Sequence, residues 1–76
     1  MSPKLPVTTG RKMVKALEQA GFIVHHTTGS HHILRHQTDF NRRVTVPMHP
    51  GDLKAGTVRH ILKQSGLSLN ELIELL

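Results

Sequence analysis

Not one of the 76 residues is a cysteine. With no disulfide and no thiolate-bound metal to staple it, the chain must be held by one apolar core, and chemistry that needs a Cys nucleophile is excluded as well. A chain of this length is expected to form one domain, residues 1–76, and to bury only roughly 60% of the surface its unfolded form exposes. That leaves no cleft between domains. Apolar residues make up 37% of the chain, against about 45–50% in an average protein with Gly counted. The core therefore has to come from a few well-placed stripes.

Residues 1–7 contain Pro3 and Pro6 and read as an extended lead-in. Thr8 or Thr9 can cap a first helix, on which Met13, Val14, Leu17 and Ala20 recur at helical spacing and which Gly21 ends. Phe22–Thr27 and His31–His36 read as strands separated by Gly29-Ser30, and Arg42–Val46 alternates as a third, stopped by Pro47 and Pro50. The links are short enough for an antiparallel meander. After a loop over Gly51–Gly56, a second helix is expected from near Thr57, with Val58, Ile61 and Leu62 inward and Gly66 at its end. Ser68 and Glu71 then have the spacing of a capping box, and Leu67 and Leu72 that of a hydrophobic staple. The third helix they start carries Leu69, Leu72, Ile73, Leu75 and Leu76. The order αβββα plus a short terminal helix predicts an α+β fold, with helices on one face of a three-stranded antiparallel sheet.

Ten Lys and Arg against five Asp and Glu give a net charge of +5 with His neutral. Such a domain suits a polyanion, either nucleic acid or an acidic protein. With no Trp, no Tyr and two Phe, an aromatic base-stacking platform is disfavoured. No stretch approaches the roughly 20 apolar residues of a membrane span. Met1-Ser2-Pro3-Lys4 leads into Leu5-Pro6-Val7 rather than a signal-peptide core. The expected address is the cytoplasm, with no membrane partner.

The seven His lie at 25, 26, 31, 32, 36, 49 and 60. Adjacent His on a strand point to opposite faces, and His32 and His36 share a face but stand roughly 13 Å apart. No His pair has i, i+4 spacing on an expected helix, so no metal ligand set and no cofactor is assigned; a metal site would need His from different strands. The chemistry that His and positive charge suit without a metal is cleavage of RNA. There the substrate's 2′-OH is the nucleophile, and the protein must supply proton transfer near pH 7 and charge around the phosphate. His31 follows Gly29, where backbone can approach a phosphate closely, and Ser30, a small hydrogen-bonding residue. Spacing alone favours the plainer reading, an ordinary turn and strand residue. In a hairpin about residues 37–41, His31 would face Met48 or His49; the register is open, since Leu34 or Ile33 could share a face with Val44 and Val46. His49 reads equally well as a loop residue bonded to backbone. Lys54, Arg59 and Lys63 group around the second helix, and Arg35 and Arg43 fall near-opposite in the hairpin. Each group is either a phosphate-binding patch or a solvated face.

Four ordered segments resemble a known family: Leu17–Phe22, Gly29–His32, Val44–His49 and Gly56–Ser68. Together they are similar to the HicA family of mRNA interferase toxins, over about Thr9 to Glu71. The resemblance implies a fold like the double-stranded-RNA-binding domain. It implies an endoribonuclease that cleaves mRNA and halts translation in a stress response. The partner implied is a HicB-type antitoxin that covers the active site and acts with the toxin at operator DNA. The family's catalytic histidine, the one after Gly-Ser, maps to His31; its second histidine maps to His49. Ser30 and His49 are thus candidates for a supporting or second catalytic role, and Gly29, Arg35, Arg43, Lys54, Arg59 and Lys63 for RNA binding. The alternatives are a catalytically silent RNA-binding module of the same fold and, from the His content, a metal-binding protein.

Overall fold

A computed structural model describes residues 4–76. Helix α1 (Gly10–Gln19) precedes strands β1 (Phe22–Thr28), β2 (His31–His36) and β3 (Arg43–Pro47), followed by α2 (Ala55–Ser65) and α3 (Leu69–Leu75). The strands form an antiparallel sheet in the order β1-β2-β3. This is the α+β, αβββα arrangement of the double-stranded-RNA-binding domain, with one further helix.

The register is now fixed, and it sorts the side chains. Leu34 pairs with Val44 and Val24, and His32 with Val46 and Thr27. Paired residues share a face, so Leu34, not Ile33, lies on the face with Val44 and Val46. All three are fully buried, in a core with Met13, Val14, Ala16 and Leu17 of α1, Phe22, Leu53, Val58, Ile61 and Leu72. The opposite face carries Thr28, His31 and Pro47 in one row and His26, Ile33 and Thr45 in the next. A bulge between Val24 and His26 sets this alternation. It adds one residue to β1 and so brings His26 onto the open face.

The helix signals act as their residue types require. Thr9, not Thr8, caps α1, its hydroxyl accepting from Lys12 N at 3.2 Å. Gly21 and Gly66 take the left-handed conformation after α1 and α2. α2 begins at Ala55 rather than near Thr57, so Ala55 and Gly56 are helical and not loop. β3 begins at Arg43 and includes Pro47. Arg42 stands just before it as a staple. Its Nε donates to the Ser65 carbonyl at 2.7 Å, and its guanidinium lies 5.3 Å from the centre of the Phe22 ring. Of the lead-in, residues 1–3 lie outside the described part; Leu5 packs on the core. Leu53 N donates to Thr8 O at 2.8 Å, and Thr9 bridges to Asp52. That pairing ties the start of α1 to the segment after β3.

Two predictions arise here. A Cβ at Gly10 would collide with the Pro47 carbonyl oxygen, a backbone atom that cannot swing away. Gly10→Ala is therefore expected to destabilise the fold by about 1–3 kcal/mol, although alanine is the better helix former. A denaturation midpoint at or above wild type would contradict this.

The second concerns acid. Ser68 Oγ accepts from Glu71 N at 3.1 Å, and Glu71 Oε1 accepts from Ser68 N at 3.0 Å, the reciprocal capping box of α3. The Ser68 backbone bond, then the Ser68 side chain, and more weakly the Arg42 charge, hold the Glu71 carboxyl below its ordinary value of 4.5 despite slight desolvation. The folded state thus favours the carboxylate. That contribution is complete above the ordinary value and is lost as pH falls through the depressed one. Wild type should lose stability below pH 4.5 more steeply than Glu71→Gln, measured by denaturant titration across pH; parallel curves would contradict it.

Candidate active site

Gly29 and Ser30 form the tight turn between Thr28 and His31, which are paired. Ser30 O accepts from Met48 N at 2.6 Å, so the chain leaving β3 is fastened to this turn. Pro47-Met48-His49 does come to Gly29-Ser30-His31, but the residue opposite His31 is Pro47, neither Met48 nor His49. One residue of register decides which groups share a face, and the hydrophobic pattern of this hairpin did not specify it.

His31 is exposed at the start of the middle strand. Its Nδ1 lies 3.1 Å from Ser30 Oγ, so the hydroxyl holds the ring by one nitrogen and leaves Nε2 free. The ring lines an open depression of about 500 Å³ together with Thr45 and Pro47 of β3 and Gly56, Thr57, His60 and Gln64 of α2. No carboxylate is among these lining groups. Thr45 N donates to Gln64 Oε1 at 3.2 Å, which fastens α2 along the outer edge of β3 and covers backbone that would otherwise be unpaired.

His49 lines a different depression, with Thr9, Gly10, Arg11, Met48, Pro50 and Gly51, and its Nδ1 lies 3.3 Å from Pro50 O. The basic residues fall into two groups. Lys54 caps α2 without a side-chain bond, and Arg59 and Lys63 are exposed on the helix beside His60. Arg35 and Arg43 are paired on the open face. They stand roughly 13 Å along β2 from His31. Arg35 is half-buried, and its Nε has no partner. Among the described residues, no group of three or more His, Cys, Asp or Glu is placed to hold a metal ion.

Two glycines at this site are not required by the fold. Gly29 and Gly56 have no positive φ, and a Cβ at either would meet nothing within 4 Å. Gly56 lies in the first turn of α2 and costs roughly 0.5–1 kcal/mol there relative to Ala. Gly56 lines the depression, and Gly29 lies in the turn two residues before His31; a side chain is absent at both.

Sequence reasoning missed Thr57, His60 and Gln64. Their spacing, i, i+3 and i+7, is one stripe of a helix and was visible, but only the tertiary packing shows that it faces His31. Among the described residues no helix is long and apolar enough to cross a membrane.

Comparison with known proteins agrees with this architecture. The family model described as HicA toxin of bacterial toxin–antitoxin matches residues 10–67, from the first residue of α1 through α2. A comparison with curated proteins returns no match. With a match over most of the chain and every element of the αβββα fold in place, the chain belongs to the HicA family, the toxins of bacterial toxin–antitoxin pairs, and its partner is an antitoxin.

Proposed function

We propose that this toxin is a metal-independent endoribonuclease of mRNA, with His31 transferring the proton and the cationic side of α2 holding the phosphates. The observation that carries the reading is His31 itself: an exposed ring held through Nδ1 by Ser30, in a depression lined without carboxylates. Phosphate is favoured there by Lys54, Arg59 and Lys63 and by the N-terminus of α2, where Gly56 leaves the backbone uncrowded; Gly29, likewise uncrowded, would admit the strand close to the turn before His31. RNA brings its own nucleophile, so proton transfer and charge suffice. Arg35 and Arg43 would hold a more distant part of the strand, and His49, in its separate depression with Thr9 and Met48, a supporting position.

On this reading the toxin blocks translation in the cytoplasm. A HicB-type antitoxin silences it by covering the depression, and operator DNA is met only through the complex. The test is to incubate the purified toxin with RNA in excess chelator and map new 5′ ends. Defined cuts are expected. Binding without cuts would instead favour the catalytically silent RNA-binding module.

The binding surface has its own expected outcome. RNA affinity should fall steeply with salt, because bound phosphates release counterions. Lys54→Glu, Arg59→Glu or Lys63→Glu should each weaken binding alike across sequences and reduce the salt slope by about one unit. Unchanged titrations would move the surface to Arg35 and Arg43.

A further inference from the structure

We propose that His60 is the second proton-transfer group of the site, the acid that protonates the leaving oxygen while His31 acts as base. This rests on the ribonuclease reading above. The placement follows from the bond between Gln64 and the edge of β3. His60 is four residues before Gln64, on the same side of α2 and roughly 6 Å back along the axis. Pro47 is two residues beyond Thr45, roughly 6.6 Å along β3, and Pro47 pairs with His31. The helix stripe and the strand row therefore converge, and His31 and His60 both line the one depression. His60 is exposed, so the core does not account for it.

In the reaction, His31 Nε2 takes the 2′-OH proton as the 2′-oxygen bonds to phosphorus. The bond from phosphorus to the 5′-oxygen breaks, and protonated His60 gives its proton to that oxygen. One proton is taken and one is given, leaving a cyclic 2′,3′-phosphate and a free 5′-OH. The titratable and charged groups around His60 are His31 from β2 and Arg59 and Lys63 on α2 itself; β3 contributes Thr45 and Pro47, which do not titrate.

The test compares wild type, His60→Gln and His31→Gln on two RNA substrates that share one mapped cleavage site. One has the normal linkage; the other has sulfur in place of the 5′-bridging oxygen. A thiol ionises near 8.5, so a sulfur leaving group departs without an acid. His60→Gln is expected to slow cleavage of the normal linkage by about 10²–10⁴-fold, to remove the alkaline limb of the pH–rate profile, and to regain most of the rate on the sulfur substrate. His31→Gln should stay slow on both. A thermal melt of each variant confirms that it is folded. A His60→Gln protein with wild-type rate and pH profile on the normal linkage overturns the proposal and leaves the ribonuclease reading standing. So does a slow variant that sulfur fails to restore, since His60 would then not be the acid. A wild-type protein that cuts neither substrate overturns the ribonuclease reading itself.

Discussion

His31→Ala is expected to lower RNA cleavage by about 10²–10⁴-fold, the usual contribution of a positioned acid or base, and to abolish growth arrest when expressed. The fold should survive. The His31 side chain is exposed, and the strand pairings to Thr28 and Pro47 use backbone groups that alanine retains. RNA affinity should change little, because the cations assigned to binding lie on α2 and at Arg35 and Arg43. The discriminating measurement is single-turnover cleavage at saturating protein, alongside a thermal melt. Wild-type cleavage by a normally folded His31→Ala would remove His31 from the chemistry. Ser30→Ala should have a smaller effect in the same direction, since it frees the ring without removing it.

The largest effect on stability is expected at Phe22. It is buried where β1 leaves α1, with the His36 ring packed edge-on at 5.1 Å and the Arg42 guanidinium at 5.3 Å. Truncation to alanine should cost about 3–5 kcal/mol. A chain of this size has roughly 4–11 kcal/mol in total, at about 0.05–0.15 kcal/mol per residue. The melting temperature should therefore drop by more than about 12 °C, at about 4–8 °C per kcal/mol for small domains. Phe22→Leu should fall much less, because it keeps most of the apolar volume and loses mainly the ring contacts. Equal losses from the two variants would show that the ring interactions, rather than the buried volume, dominate at this position.

What the chain revealed in one dimension follows from how local each signal is. The capping box at Ser68 and Glu71, the stripe of Met13, Val14 and Leu17, and the stop at Gly21 each involve residues within a turn or two of one another. All appear in the structure as the sequence implies. The start of α2 was displaced because Gly56 reads as loop by propensity, while tertiary packing of Val58 and Ile61 carries the helix back to Ala55. The hairpin register was out of reach, because Ile33 and Leu34 are both apolar and only the assembled core selects Leu34. The site shows the same division. His31 and Ser30 are neighbours in sequence and were legible together, whereas His60 reaches the depression only through the alignment of α2 on β3.

The central claim is that the substrate's own 2′-OH attacks, with imidazole moving the proton. It is tested most directly by a single 2′-deoxy substitution on the 5′ side of the mapped cleavage site, assayed in excess chelator. Blocked cleavage at that linkage is expected, while the all-ribose control is cut to an upstream cyclic or linear phosphate and a downstream 5′-OH. Efficient cutting of the deoxy linkage, or activity that chelator removes and divalent metal restores, would contradict the account: water or metal-bound hydroxide would then be the nucleophile, and His31 a ligand or a binding residue.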